Sequence, residues 1–137
     1  MIMATQTPEA KLQLAMVSQV VDRYFSRFNA EDYDQVADLF ADAGVLLAPF
    51  EEPIVGSEAI STYLKAEARA MKATPVEAEA TINPDGTQQV IVKGRVKTLL
   101  FSVNVRWTFA LTAADKIQSA EIKLLASLQE LMQLDRS

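Results

Sequence analysis

Residues 100–111 read LFSVNVRWTFAL, and the period of that stretch decides the fold. Strand side chains alternate between two faces. Val103, Val105, Trp107, Phe109 and Leu111 therefore share one face, and Asn104, Arg106, Thr108 and Ala110 share the other. The chain's one Trp stands mid-strand on the apolar side. A buried indole needs a partner for its N–H, because an unpaired buried donor costs about 1–3 kcal/mol. An apolar wall with one polar handle results. The domain is expected to form a pocket against that wall and to hold an apolar ligand there.

The same period runs outward in both directions. Val90, Val92, Gly94 and Val96 alternate with Lys93, Arg95 and Lys97. Val76, Ala78, Ala80 and Ile82 alternate with Glu77, Glu79 and Thr81, and Asn83-Pro84-Asp85-Gly86 is a strong turn signal between the two runs. Downstream, a turn at Ala113–Lys116 leads to a strand over Ile117–Leu125, with Ala120, Ile122 and Leu124 on one face. The chain must also reverse between Thr98 and Val103, where Ser102 is the one conventional turn former. Leu99, Leu100 and Phe101 are thus expected at a partly exposed hairpin tip. Ser127-Leu128-Gln129-Glu130 reads as a capping box that starts a short closing helix.

Upstream the period is helical. Thr7-Pro8 reads as a cap with Pro at the first helical position, and Leu14, Val17, Val21, Tyr24, Phe25 and Phe28 form one stripe of a helix running to about Phe28. A second helix is expected over Asp32–Phe40. Ala43-Gly44 then turns into a strand, Val45–Ala48. Pro49 and Pro53 bracket a loop, and Ser57 caps a third helix to about Met71, burying Ile60, Leu64, Ala68 and Met71. Helices gathered before an antiparallel meander predict an α+β domain. The expected form is a cone-shaped curved antiparallel (mixed) sheet with three N-terminal helices on its concave face and a short C-terminal helix.

The chain has 137 residues, consistent with one domain over 1–137 in which 1–7 are expected to be disordered. Its net charge of −5 argues against nucleic acid as a partner. With neither Cys nor His, there is no thiolate nucleophile, zinc–thiolate site or His-based triad. No apolar run approaches a membrane span and no signal peptide is read, so a cytoplasmic protein is expected.

Two neutral donors stand out. Trp107 fits either a core Trp bonded to a backbone carbonyl or a donor aimed into the cavity. Tyr24, in the last turn of the first helix, fits either an amphipathic core residue or a second donor to the same cavity. Set among Phe28, Met71, Val103, Ile122 and Leu124, the pair would suit a carbonyl oxygen on an otherwise apolar molecule. A Tyr on the first helix of such a domain also resembles ketosteroid isomerase, which needs a carboxylate base. From Gly86 to Ala114 the chain has no Asp or Glu, and Glu121 lies on the face opposite Ile122 and Leu124, so no enzyme is expected. Lys93, Arg95 and Lys97 form a basic stripe, read as a solvated sheet face or as a docking patch for an acidic partner or lipid head groups.

The order and spacing of several short motifs resemble a known family. They are Arg23-Tyr24, Asn29-Ala30-Glu31-Asp32, Leu39-Phe40-Ala41-Asp42, Pro49-Phe50 and Pro53-Ile54-Val55-Gly56. Then come Gly94-Arg95-Val96-Lys97-Thr98, Asn104 three before Trp107, Phe109, Leu124-Leu125-Ala126-Ser127 and Glu130-Leu131. Over roughly Val20–Leu134 the chain is similar to the stand-alone homologues of the C-terminal domain of the cyanobacterial orange carotenoid protein, within the nuclear transport factor 2-like superfamily. The resemblance implies a ketocarotenoid such as canthaxanthin or echinenone, non-covalently bound, with its keto oxygen held by Tyr24 and Trp107. The implied lining is Phe28, Ala68, Met71, Val103, Ile122 and Leu124. It further implies a carrier that passes pigment to helical carotenoid proteins and quenches singlet oxygen. A homodimer is expected because one domain is too small to cover a whole carotenoid, and transient membrane contact is expected as well. The absence of a helical N-terminal domain is expected to exclude a complete photoswitch. SnoaL-like or isomerase-like enzymes and protein-interaction modules of the same fold are the other readings. The segment between Phe101 and Trp107 is about four residues shorter than in the photoreceptor. Ala48 and Leu128 stand where the family often has Pro, and Ser102 stands near the position where some relatives carry a Cys.

Overall fold

The computed structural model describes residues 13–125. The expected cap at Thr7-Pro8, the disordered start and the closing helix at Ser127–Glu130 lie outside them. Four helices and six strands follow in the order α1 (Leu14–Val17), α2 (Gln19–Asn29), α3 (Tyr33–Ala37), β1 (Phe40–Leu47), β2 (Ile54–Val55), α4 (Ser57–Glu67), β3 (Lys72–Ile82), β4 (Gln88–Lys97), β5 (Ser102–Leu111) and β6 (Ile117–Leu125). The strands form one open sheet ordered β2-β1-β6-β5-β4-β3. β1 and β6 run parallel, and the other neighbours are antiparallel. The fold is the expected α+β arrangement of helices on a curved mixed sheet.

The first helix is not continuous. Ser18 is extended (φ −163°, ψ 120°), and its hydroxyl accepts the Val21 N–H at 3.2 Å. An N-cap inside the apolar stripe therefore splits α1 from α2. α2 has Asp22 in its first turn and Arg27 in its last, both favourable to its dipole. It buries Val20, Val21, Tyr24, Phe25 and Phe28. Asn29 closes it and reaches across to β3. Its side-chain amide donates to Ala73 O at 2.8 Å and accepts from Ala73 N at 2.7 Å, fixing the end of the helix to the start of the strand.

Several expected boundaries move for local reasons. α3 ends at Ala37, capped at its start by Asp32, and Phe40 instead opens β1. Ala43-Gly44 is no turn but part of an irregularity between Phe40 and Val45 in the β1–β6 ladder. A Cβ on Gly44 would lie 2.8 Å from Ile117 O and 2.9 Å from Ala41 O, so only glycine fits. Gly56, not Ser57, occupies the cap position of α4, with φ at 93°. α4 stops at Glu67, and Ala70 turns left-handed (φ 68°), which carries Met71 out of the helix into the approach to β3.

On β3 the expected single apolar face is interrupted. A bulge between Pro75 and Glu77 leaves Val76 as the extra residue, exposed, while Ala73 stays inward. Ile82 is also exposed, at the end of an edge strand. The bulge brings β3 backbone over Gly94, where a Cβ would collide with the Thr74 carbonyl and lie 2.9 Å from Pro75 Cα. Across the sheet, Ala78, Val92, Trp107 and Ile122 form one inward row, and Ala73, Val96 and Val103 form another. The β4–β5 reversal is made by Thr98 rather than Ser102. The Thr98 N–H donates to Phe101 O at 2.8 Å, and its hydroxyl accepts from the N–H groups of Leu100 and Phe101 at 3.2 and 3.1 Å. Leu99, Leu100 and Phe101 stand at the tip, 86 %, 87 % and 58 % exposed.

Candidate functional site

The helices and the inner sheet face enclose an apolar cavity of about 260 Å³. Three sources build its wall. α2 contributes Tyr24 and Phe28, α4 and its exit contribute Leu64, Ala68 and Met71, and the sheet contributes Val96, Val103, Val105, Trp107, Ile122 and Leu124. All eight residues singled out in the sequence line this one cavity. Sequence reading missed Leu46, Ala48, Pro49 and Tyr63, which close the side formed by β1 and α4, and Thr98, which with Phe101, expected at the hairpin tip, brings the hairpin to its mouth. The β1–β6 pairing that carries the first two inward is parallel and long-range, and no local pattern announces it.

Tyr24 is 1 % exposed and Trp107 2 %. The Tyr24 ring meets Phe109 edge-on at 5.0 Å and Phe25 edge-on at 5.3 Å, and it lies nearly parallel to Phe28 at 6.2 Å. Phe25 also meets the Trp107 indole edge-on at 4.7 Å, so one phenyl ring fixes both polar aromatics. The Tyr24 hydroxyl is fully buried and has no hydrogen-bond partner among the described residues. Tyr33 shows the contrast. Its hydroxyl, on the same helical side of the sheet, donates to Ala68 O at 2.9 Å. Buried polar groups are almost always satisfied, so an orphan hydroxyl on the wall of an apolar cavity marks a place where a ligand acceptor would be stabilised.

Burial pushes the Tyr24 hydroxyl well above its usual pKa of 10.0. Folded Tyr24 thus stays protonated while the unfolded chain ionises it near about 10. Its contribution to stability is complete below that pH and is lost as pH rises through it, by up to about 1.4 kcal/mol per pH unit. Tyr24→Phe removes both this liability and the unpaired hydroxyl. The pigment-free variant is expected to be about 1–2 kcal/mol more stable than wild type at neutral pH, with the gap widening above about pH 10. Urea unfolding of both proteins at rising pH measures it, and a variant no more stable than wild type would show that the hydroxyl is already satisfied.

The carboxylate lining the cavity is Glu67, exposed at the end of α4, and no carboxylate of the described sheet joins it. Glu121 pairs with Thr108 on the outer face, as its position in the alternation requires. Among the described residues no cluster of His, Cys, Asp or Glu could hold a metal ion. No described helix is long and apolar enough to cross a membrane.

Residues 16–120 match the family model described as the nuclear transport factor 2 (NTF2) domain. The chain is 34 % identical over 129 residues to the orange carotenoid-binding protein of Limnospira maxima, covering 90 % of this chain and 41 % of that protein. It is 34 % identical over 125 residues to the orange carotenoid-binding protein of Synechocystis, covering 88 % and 39 %. The chain spans about two fifths of the length of these curated relatives. Among solved structures, the orange carotenoid protein of Anabaena (Nostoc) binding canthaxanthin superposes with a TM-score of 0.76 at 36 % identity, covering 83 % of this chain and 38 % of that one. The epoxide hydrolase/cyclase-like enzyme SalBIII shares the fold at 18 % identity and a TM-score of 0.62, over 84 % of this chain and 95 % of that one.

Proposed function

The chain belongs to the nuclear transport factor 2 domain family, and from its cavity and its similarity to the orange carotenoid-binding proteins we propose that it is a ketocarotenoid-binding protein. It holds a pigment such as canthaxanthin or echinenone without a covalent bond. It carries that pigment in the cytoplasm, delivers it to helical carotenoid proteins and quenches singlet oxygen in cyanobacterial photoprotection.

The orphan hydroxyl of Tyr24 carries this reading. A keto oxygen is an acceptor on an apolar body, and the cavity offers donors on an apolar wall. Tyr24 and Trp107 both line it, and both are donors at neutral pH. Phe28, Ala68, Met71, Val103, Ile122 and Leu124 supply contact for the end ring and the first part of the polyene. A sphere of 260 Å³ is only about 8 Å across, whereas a molecule able to span a bilayer core is about 30 Å long. The cavity therefore suits one end of the pigment, with the remainder leaving through the mouth beside Phe101.

The proposed role is binding without chemistry. General acid–base catalysis requires a positioned titratable group. The chain has no His or Cys, and Glu67 at the rim is exposed. Expression of the full chain in cells that make canthaxanthin tests the function directly. The expected product is a coloured protein with about one keto oxygen held per chain. Colourless protein from pigmented cells would overturn it.

A further inference from the structure

We infer that the tip of the β4–β5 hairpin docks the pigment-free protein on anionic lipid bilayers. The docking does not depend on the pigment reading, although that reading explains why an apolar cargo would be loaded there.

Charge is distributed very unevenly along this chain. The hairpin over residues 87–113 carries Lys93, Arg95, Lys97 and Arg106 and no carboxylate. The rest of the chain holds nine cations against eighteen carboxylates. The hairpin thus carries a net +4 within a protein of net −5, and at its tip end Lys97 and Arg95 face Lys72 and Thr74 of β3 rather than a carboxylate. Its tip is apolar. Leu99 and Leu100 are each more than four-fifths exposed, at the point where the two strands reverse. A Thr98-based turn holds them there, its hydroxyl and N–H engaged with Leu100 and Phe101 backbone. Exposed leucines at a fixed tip cost free energy in water and gain it in an acyl layer.

The cations sit where head groups would be. Lys97 pairs across the ladder with Lys72 on one side and Ser102 on the other, on the outer face just behind the tip. Arg95 stands about 7 Å and Lys93 about 14 Å further back along the strand. The field of an anionic surface fades over about 8 Å at physiological salt. Arg95 and Lys97 therefore form the effective collar, because the Lys72 ammonium donates to Asn29 O at 2.6 Å and Lys93 forms an ion pair with Glu77 at 3.9 Å. Glu67 lies at the cavity rim, and Glu51 and Glu52 follow the exposed Phe50 just after the lining residue Pro49. An anionic surface repels these carboxylates and attracts Arg95 and Lys97, which favours entry by the hairpin. An acidic protein would account for the cations but leave the two leucines unexplained. A bilayer accounts for both.

Sedimentation of the full-length, pigment-free chain with sucrose-loaded vesicles tests the proposal. Vesicles containing about one third phosphatidylglycerol in phosphatidylcholine should carry the protein down at low salt, and pure phosphatidylcholine vesicles should not. Leu99→Ser with Leu100→Ser should weaken binding by at least about tenfold. Arg95→Gln and Lys97→Gln should each weaken it about fivefold. Ile82→Ser, at an exposed apolar site on another strand, should leave it unchanged. Equal binding to neutral vesicles, or no binding to either, overturns the proposal. So does binding that the leucine changes do not touch, which would indicate an acidic partner for the sheet face. So too does a change of oligomeric state in the leucine variant without vesicles, which would make the tip a contact between copies of the free protein. Pigment uptake is not the readout, so a protein that docks but takes no canthaxanthin from detergent would refute only the pigment reading.

Discussion

Replacing Tyr24 and Trp107 together by Phe is expected to weaken ketocarotenoid binding by about ten- to a hundredfold, at roughly 0.5–1.5 kcal/mol for each neutral hydrogen bond lost. Each single variant should show a smaller loss. The double variant should reach the upper end, because the keto oxygen would then enter an apolar pocket with no donor left. Any pigment still bound should absorb at shorter wavelength, since donors at the carbonyl favour charge-separated character along the polyene. Phe preserves most of the Tyr24 ring and its contacts with Phe109, Phe25 and Phe28. The Tyr24 change should therefore separate binding from folding cleanly, with weaker pigment uptake in a protein more stable without pigment. Trp107→Phe also removes volume at the Phe25 contact, so its stability should fall somewhat. Titration of detergent-solubilised canthaxanthin, followed by absorbance, gives both numbers. Unchanged affinity and spectrum in the double variant would mean that the carbonyl is held elsewhere.

The residues that line the cavity were legible because each lies on a periodic element. Val103 and Trp107 follow from alternation on β5, Ile122 and Leu124 from β6, and Tyr24 and Phe28 from the helical stripe of α2. Alternation survives folding where a strand is central and paired on both sides, as β4, β5 and β6 are. It failed on β3, an edge strand, where the bulge at Val76 changes the phase midway. The helix break was hidden for a different reason. Ser18 caps α2, yet it interrupts an apolar stripe that otherwise continues through Leu14, Val17 and Val21. A single Ser in such a stripe reads equally well as an interior residue. The parallel β1–β6 pairing and the orphan state of the Tyr24 hydroxyl are properties of the assembled domain. The donor could be named from the sequence, but its lack of a partner could not.

The pigmented protein is expected to be a homodimer that shares one carotenoid between two cavity mouths, and the pigment-free protein a monomer. The cavity takes one end of a molecule about 30 Å long, and a domain of this size has a radius of gyration of only about 14 Å. Part of the polyene must leave through the mouth, and every 100 Å² of it left in water forgoes roughly 2.5 kcal/mol. A second copy on a two-fold axis covers that length with the same cavity, and two-fold dimers are the commonest oligomers. The lips of the mouth suit such an arrangement. The basic hairpin brings its apolar tip to the mouth, and an acidic segment follows the lining residue Pro49, with Phe50, 95 % exposed, then Glu51 and Glu52. Under two-fold symmetry the basic lip of each copy can face the acidic lip of its partner, so both contacts are attractive and the apolar rims meet between them. Dimer formation would then cover the tip that the pigment-free protein offers to a bilayer, and loading would release the protein from the surface. Phe101→Glu places a carboxylate on the rim, next to the emerging polyene. It should convert the pigmented dimer to a monomer, or strip the pigment, while leaving the pigment-free fold intact, because Phe101 is more than half exposed. Light scattering on pigmented and pigment-free samples of both proteins distinguishes the models. A pigmented monomer in the wild type, or a pigmented dimer indifferent to Phe101→Glu, would rule out the shared mouth and favour a dimer through the outer sheet face.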